Sequence, residues 1–414
     1  MQVEYEPLSA KYQADPYPTY ALLREHDPVH WAPEQRAWCL SRHADVSHVL
    51  RNPEIFSSTA MAEALFNRDF KLRHLPRILR FLMRTGANPL RMNSSAGLIQ
   101  SDPPVHDALR NIVNRGFTPR RISAWEARLR EIVDEYMAKI PEDAPWDVIE
   151  SIGIPLPVTA IAELLGIESS RMADFKHWSD MLVATSTGEL RDDPIGNGFL
   201  ENMGDLRSYM TPIIEARRRN PQDDLISILV DPRHEDTLDE PAVMGFVILL
   251  LAAGNETTTN LIGNATVALL RNPDQLDAVA QDPSLIPGLV EETLRYDGPV
   301  QILFRKATQD TKIAGQEIAA GDLVVPLLGS ANRDARVFDE PDRFDVTRST
   351  KGHVGFGFGV HFCLGASLAR LEARVTLEAL VPLLAKSRPV IDQQQWTDSF
   401  IVRGRRHLTL RPAA

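Results

Sequence analysis

Apolar residues recur at helical spacing over much of the chain. Ile122, Trp125, Leu129, Ile132, Val133, Tyr136, Met137 and Ile140 follow one another in steps of one, three or four, which places them on one face of a single long helix. Asp15-Pro-Tyr-Pro-Thr-Tyr-Ala-Leu-Leu-Arg24 predicts a short helix entered through proline, and Ala44 to Leu50 a second that Pro53 ends. Val29-His-Trp31 and Ala37-Trp-Cys-Leu40 flank a polar turn, as in a hairpin. The longest helix is expected after Thr237-Leu-Asp-Glu240, a capping-box pattern with Pro241 in the first turn, and runs to Leu270. The stretch from about Ala60 to Gln100 reads as irregular. Beyond Asp297-Gly-Pro299 the texture changes to short β-branched pieces, then a glycine-rich loop and a last long helix. With no repeats and no clear linker, the expectation is one domain, residues 1–414, mainly α with a smaller β portion.

Composition narrows the function classes. The chain has 414 residues, 43% of them hydrophobic, so it can bury a sizeable core. Its net charge of −11 argues against general nucleic-acid binding. Only two cysteines occur, Cys39 and Cys363, which favours a reducing cytoplasm over a disulfide scaffold. The start, Met1-Gln-Val-Glu-Tyr-Glu-Pro, lacks the apolar core of a signal peptide. The most apolar stretch, Gly245 to Gly254, is too short to span a bilayer, so no integral membrane association is expected.

The strongest chemical signal is Phe356-Gly-Phe-Gly-Val-His-Phe-Cys-Leu-Gly365. Glycines at 355, 357, 359 and 365 permit a sharply folded backbone that approaches a flat cofactor closely. A helical run from Ala366 to Val375 follows, so Cys363 sits at a helix start, where free N–H groups and the dipole favour thiolate. Such a sulfur suits an axial iron ligand. A buried structural cysteine and a thiolate nucleophile with a histidine base are the alternatives.

A second signal lies inside the longest helix. Val247 to Ala253 is apolar on every side and runs directly into Gly254-Asn-Glu-Thr-Thr-Thr-Asn260, after which apolar character resumes at Leu261. Polar groups in a buried helix cost roughly 1–3 kcal/mol each when unsatisfied, so they need a reason to be there. Threonine back-bonding beside Gly254 would open the helix locally and leave a groove. A helix that simply surfaces here is the plainer reading. Two further patterns are weaker alone. Glu292-Thr-Leu-Arg295 pairs opposite charges on one helix face, and His106 and Arg110 put two basic groups on another.

In this order, and over nearly the whole chain from Asp15-Pro-Tyr-Pro to Arg403-Gly-Arg-Arg-His-Leu, these motifs resemble the cytochrome P450 family, soluble bacterial type. The resemblance implies the P450 fold, with haem b between the long central helix and the cysteine-loop helix. Cys363 would be the axial ligand of the haem iron, with Phe356, Gly357, Gly365, Ala253 and Gly254 against the cofactor. His106, Arg110, His361 and Arg305 would hold its propionates. Glu256 and Thr257 match the acid–alcohol pair that passes protons toward dioxygen. Glu292, Arg295 and Arg343 would form a buried structural network. Val300, Ile302, Leu303, Phe304, Phe400 and Ile401 would line a mostly apolar substrate pocket.

The activity implied is a monooxygenase that hydroxylates or epoxidises a hydrophobic small molecule with O2. No flavin or iron–sulfur segment is visible, so electrons are expected from a separate ferredoxin and ferredoxin reductase fed by NAD(P)H. A cytoplasmic monomer is expected. Peroxide-driven or rearrangement chemistry on the same haem is one alternative, and a non-catalytic haem sensor another. The stretch from Ser58 to Gln100 is longer than usual for the family. It carries the basic and apolar run Lys71 to Arg84, and residues 59–100 are read as a pocket lid, with docking to an acidic partner or membrane surface as the second reading.

Overall fold

A computed structural model describes residues 3–7, 9–60, 74–85, 97–186, 198–390, 395–397, 399 and 401–412. Packing divides the chain into two compact units. The first comprises Met1–Met61, Ile122–Leu156 and Thr257–Ala414, and the second Ala62–Arg121 and Pro157–Glu256.

The first unit carries the strands. Val29–Ala32 and Ala37–Leu40 form the expected antiparallel hairpin, with Val29 opposite Leu40 and Ala32 opposite Ala37. The second of these pairs in parallel with Leu323–Pro326, which continues antiparallel to Arg305–Ala307 and then Phe56–Ser57. Leu40, Phe56, Ala307 and Val324 point into one apolar cluster with Val46, Val49 and Leu50 of the helix His43–Arg51. Helix Ala366–Leu384 packs on Glu126–Met137 and on Ile286–Tyr296. Two ion pairs tie the first two together, Arg130 to Glu378 and Arg374 to Glu126, and each arginine also pairs with the glutamate on its own helix.

The single helix expected from Ile122 to Ile140 is two, Pro119–Ala124 and Glu126–Met137. The Trp125 N–H bonds to Ile122 three residues back, a tight turn between the two helices that leaves the apolar spacing intact. Apolar periodicity therefore does not sense this break.

Among its described residues the second unit is helical, with Leu75–Thr85, Val105–Asn114, Met172–Ser186, Phe199–Arg219 and Leu225–Val230. Part of the stretch read as irregular is thus a helix. Leu75–Thr85 lies along Phe199–Arg219, with Phe81 and Thr85 beside Gly204, and Arg77 and Arg84 paired to Glu201 and Asp205. Arg77, Arg80 and Arg84 recur at steps of three and four, a helical period that follows Pro76 in the first turn. The remainder of the proposed lid, 61–73 and 86–96, lies outside the described residues.

The longest helix is Glu240–Arg271. Its start is stabilised by Asp239, whose carboxylate accepts the Ala242 N–H at 3.0 Å, rather than by Thr237. By length and composition it could cross a membrane, but Val243, Val247, Leu251, Leu261, Ile262, Ala265 and Leu269 are all buried within the protein.

Candidate active site

The cysteine loop is a tight backbone construction within the first unit. Gly357 and Gly359 have φ of 71° and 73°, a region only glycine enters without strain. A Cβ at Gly359 would also collide with the Leu50 carbonyl, and one at Gly355 would lie 2.7 Å from the Leu294 carbonyl. These turns let the Cys363 N–H reach the Phe356 carbonyl at 2.9 Å. Gly365 caps the helix Ala366–Leu384, so Cys363 stands at its start as expected. The sulfur-bearing residue is half-buried, unlike Cys39, which lies in the core and whose thiol burial pushes up to about 12.

Gly365 behaves differently from its neighbours. Among the described residues, a Cβ there would meet no atom within 4 Å apart from those of its own chain neighbours and helix. Space beside the cysteine, at a residue whose φ of −84° does not demand glycine, is what a flat prosthetic group against the sulfur requires.

The polar cluster of the central helix also has an accessible face. Leu251, Asn255, Thr258, Thr259 and Asn260 are buried, whereas Ala253 is exposed and Ala252, Gly254, Glu256 and Thr257 are partly accessible. The sequence 252–253–256–257 is one stripe of an α-helix. Within that stripe the Oε1 of Glu256 is shielded from solvent and accepts no hydrogen bond. Burial pushes this carboxyl up to about 7.

The helix stays α-helical through this region, so the expected local opening is absent. Thr259 bonds outward to the Gly153 carbonyl at 2.7 Å, and Thr258 to the carboxyl of Glu372. On the opposite side, Asn255 donates to Ser179 at 2.5 Å. With these partners on neighbouring elements, Thr258 and Thr259 do not need their own helix's carbonyls.

The structural network differs from expectation in its third member. Glu292 and Arg295 form a fully buried bidentate pair, both contacts 2.7 Å. The Arg343 side chain is exposed and turns to Glu340, giving the network only its carbonyl, which accepts from Arg295 at 3.2 Å. Arg348 takes the expected place, 3.3 Å from Glu292. The reason is local: Arg348 folds back onto the carbonyls of Asp339, Glu340 and Arg343, while the Asp345 N–H bonds to Glu292 at 2.9 Å. That loop draws residue 348 inward and leaves 343 at its rim.

The four basic residues proposed for an anion divide between the units. In the first, His361 sits 2.9 Å from the Ser58 hydroxyl, and Arg305 is buried in its strand with a bond to the Phe304 carbonyl at 2.8 Å. In the second, His106 is buried beside Asp107, and Arg110 bonds to Asn114 at 3.1 Å. Their helix starts at Val105 after Pro104, and the His106 N–H bonds back to the Asp102 carbonyl at 3.0 Å.

The pocket segments do meet. Gln301 N–H bonds to the Ile401 carbonyl at 2.8 Å, Val300 bridges Val402, and Arg403 N–H bonds to Pro299 at 2.7 Å. Ile302 and Phe304 are buried, while Val300, Leu303 and Ile401 are partly accessible. Phe400 lies outside the described residues.

The family model for cytochrome P450 matches residues 175–384, half of the chain. The chain belongs to the cytochrome P450 family. As a P450 it is a haem b monooxygenase, and the half-buried cysteine and the clear space at Gly365, both in the first unit, fit that cofactor. It is 39% identical over 410 residues to the vitamin D(3) 25-hydroxylase of Pseudonocardia autotrophica, covering 97% of this P450 and 94% of that one. Among solved structures it resembles CYP109Q5 from Chondromyces apiculatus, with TM-score 0.86, 36% identity and coverage of 100% and 99%. CYP109E1 from Bacillus megaterium, solved in complex with corticosterone, matches with TM-score 0.84, 33% identity and coverage of 98% and 100%.

Sequence reading passed over several residues. Glu372 is the most consequential: it is buried, its Oε1 accepts no hydrogen bond, and burial pushes it up to about 8. Its place on the apolar face of the last long helix, four positions after Leu368, was visible in the sequence, but its partner Thr258 was not. Arg348 carried no comparable signal, because its role depends on how the preceding loop folds.

Proposed function

We propose that this P450 hydroxylates or epoxidises an apolar small molecule, using O2 and electrons passed from NAD(P)H through a ferredoxin and its reductase in the cytoplasm. Haem b, when bound, supplies dioxygen activation and transfer of one oxygen atom to a C–H or C=C bond. Cys363 would hold the iron from the start of its helix, with His361, Arg305, His106 and Arg110 as partners for the propionates.

The single observation that carries this reading is Glu256 beside Thr257 on the accessible stripe of the central helix, next to the buried Asn255 and Thr258. With its carboxyl near 7, Glu256 is partly protonated at neutral pH, so Oε1 both gives and takes a proton readily. Thr257 Oγ1, next in the chain, supplies a hydroxyl that relays without holding charge. Glu372, held by Thr258, keeps a second proton at neutral pH. A sensor or carrier has no use for such acids.

Val300, Leu303 and Ile401 present apolar surface, which suits a substrate bound mainly by burial. The vitamin D hydroxylase and the corticosterone-bound relative make steroid-sized molecules the first class to test. Purified protein with ferredoxin, reductase, NADPH and isotopically labelled dioxygen is incubated with vitamin D(3) or corticosterone. Product carrying one labelled oxygen supports the reading. Turnover only with peroxide, or oxygen drawn only from water, overturns it.

A further inference from the structure

The cysteine loop is flanked by a charge pair that its backbone geometry does not require. Arg370, on the helix that Cys363 opens, lays its guanidinium 4.5 Å from the centroid of the Phe356 ring. Phe356 is the residue whose carbonyl accepts the Cys363 N–H. The same guanidinium forms a fork with Glu291, at 2.5 and 2.9 Å. The second oxygen of Glu291 also meets His353 Nε2 at 3.0 Å, and His353 Nδ1 accepts the Gly355 N–H at 3.2 Å. Glu291 thus reaches the start of the loop by two routes, through His353 to Gly355 and through Arg370 to Phe356.

We propose that Glu291 and Arg370 form an opposed charge pair that sets how strongly Cys363 donates electron density to the iron. This rests on Cys363 being the thiolate ligand. Arg370 places a cation across one aromatic ring from the residue bonded to the cysteine amide. Alone, that cation would draw charge from the sulfur and favour the reduced iron. Glu291 cancels most of it. Burial works against the Glu291 anion, yet His353 and Arg370 bring its carboxyl down to about 2, so it remains charged at every working pH. A merely mechanical brace would not need both charges, since aromatic packing and the Gly355 contact already fix the loop.

The reduction potential of the haem-loaded protein, measured by spectroelectrochemistry, tests this by sign. Glu291→Gln leaves the cation unbalanced and raises the potential. Arg370→Gln leaves the anion and lowers it. Each shift is expected to be about threefold in the reduction equilibrium, which for one electron is about 28 mV. The double variant returns toward the parent, and Arg370→Lys, which keeps the charge, stays near it. Single variants that shift in the same direction, or do not shift, overturn the proposal, as does a Lys variant that behaves like Gln. The reduced carbon monoxide spectrum of the parent separates the two levels. A thiolate-type band with no opposed shifts removes the charge pair alone, whereas a band of another type removes the ligand assignment beneath it.

Discussion

Glu292 and Glu372 are both almost fully buried on helices of the same unit, yet their surroundings are opposite. Glu292 meets a bidentate Arg295, a second arginine in Arg348 and the Asp345 N–H. Glu372 meets the Thr258 hydroxyl and leaves one oxygen without a hydrogen bond. Glu256, on the central helix, resembles Glu372 in having a shielded, uncompensated oxygen. A buried carboxylate surrounded by cations is a structural tie. One buried without them keeps its proton into the neutral range and becomes available for proton transfer. The partner, more than the acid, decides the role.

The largest effect is expected from breaking the tie. Glu292→Ala strands a fully buried arginine and should cost about 3–5 kcal/mol, seen in denaturant unfolding of the haem-loaded protein. A loss within about 0.5 kcal/mol would mean that water or a rearranged loop compensates Arg295, and the contrast would fail. Next is Glu256→Gln, which keeps shape but cannot deliver a proton. Product formation should fall on the order of 100-fold while substrate binding, read from the spectral titration, is unchanged. Equal loss of both would place Glu256 among residues that hold the substrate.

Arg348→Ala should destabilise by about 1–3 kcal/mol, because it removes a partner from a buried acid. Arg343→Ala should stay within about 0.5 kcal/mol, as a surface change does. Reversal of that order would restore Arg343 to the network. The mildest effect at neutral pH is from Glu372→Gln. The folded protein holds the Glu372 proton up to about 8, against 4.5 for an ordinary glutamic acid, so its contribution to stability is complete below about 4.5 and is lost as pH rises through 8. The glutamine variant should therefore lose less stability than the parent between those limits. Parallel curves would show that Glu372 titrates normally.

The sequence was legible where residue identity at fixed spacing carries the chemistry. The cysteine loop could be read because Gly357 and Gly359 are needed by backbone conformation, and Cys363 by its place before a helix. The hairpin at Val29–Leu40 and the interrupted central helix were equally open, since alternation and burial reflect solvent alone. What escaped depends on tertiary approach. Arg348 replaced Arg343 because of a loop fold with no sequence marker. Glu372 gained meaning only once Thr258 faced it. The helix Leu75–Thr85 was legible in the spacing of Arg77, Arg80 and Arg84, but its packing beside Gly204 through Phe81 was not. Trp125 broke a helix without disturbing its periodicity.

The ligand at the iron decides whether Cys363 is functional or structural. The absorption spectrum of the dithionite-reduced protein under carbon monoxide should show a strongly red-shifted Soret band, lost in Cys363→His. A band of the histidine-ligated type in the parent, or a protein that binds no haem, would contradict thiolate ligation and return Cys363 to a structural thiol.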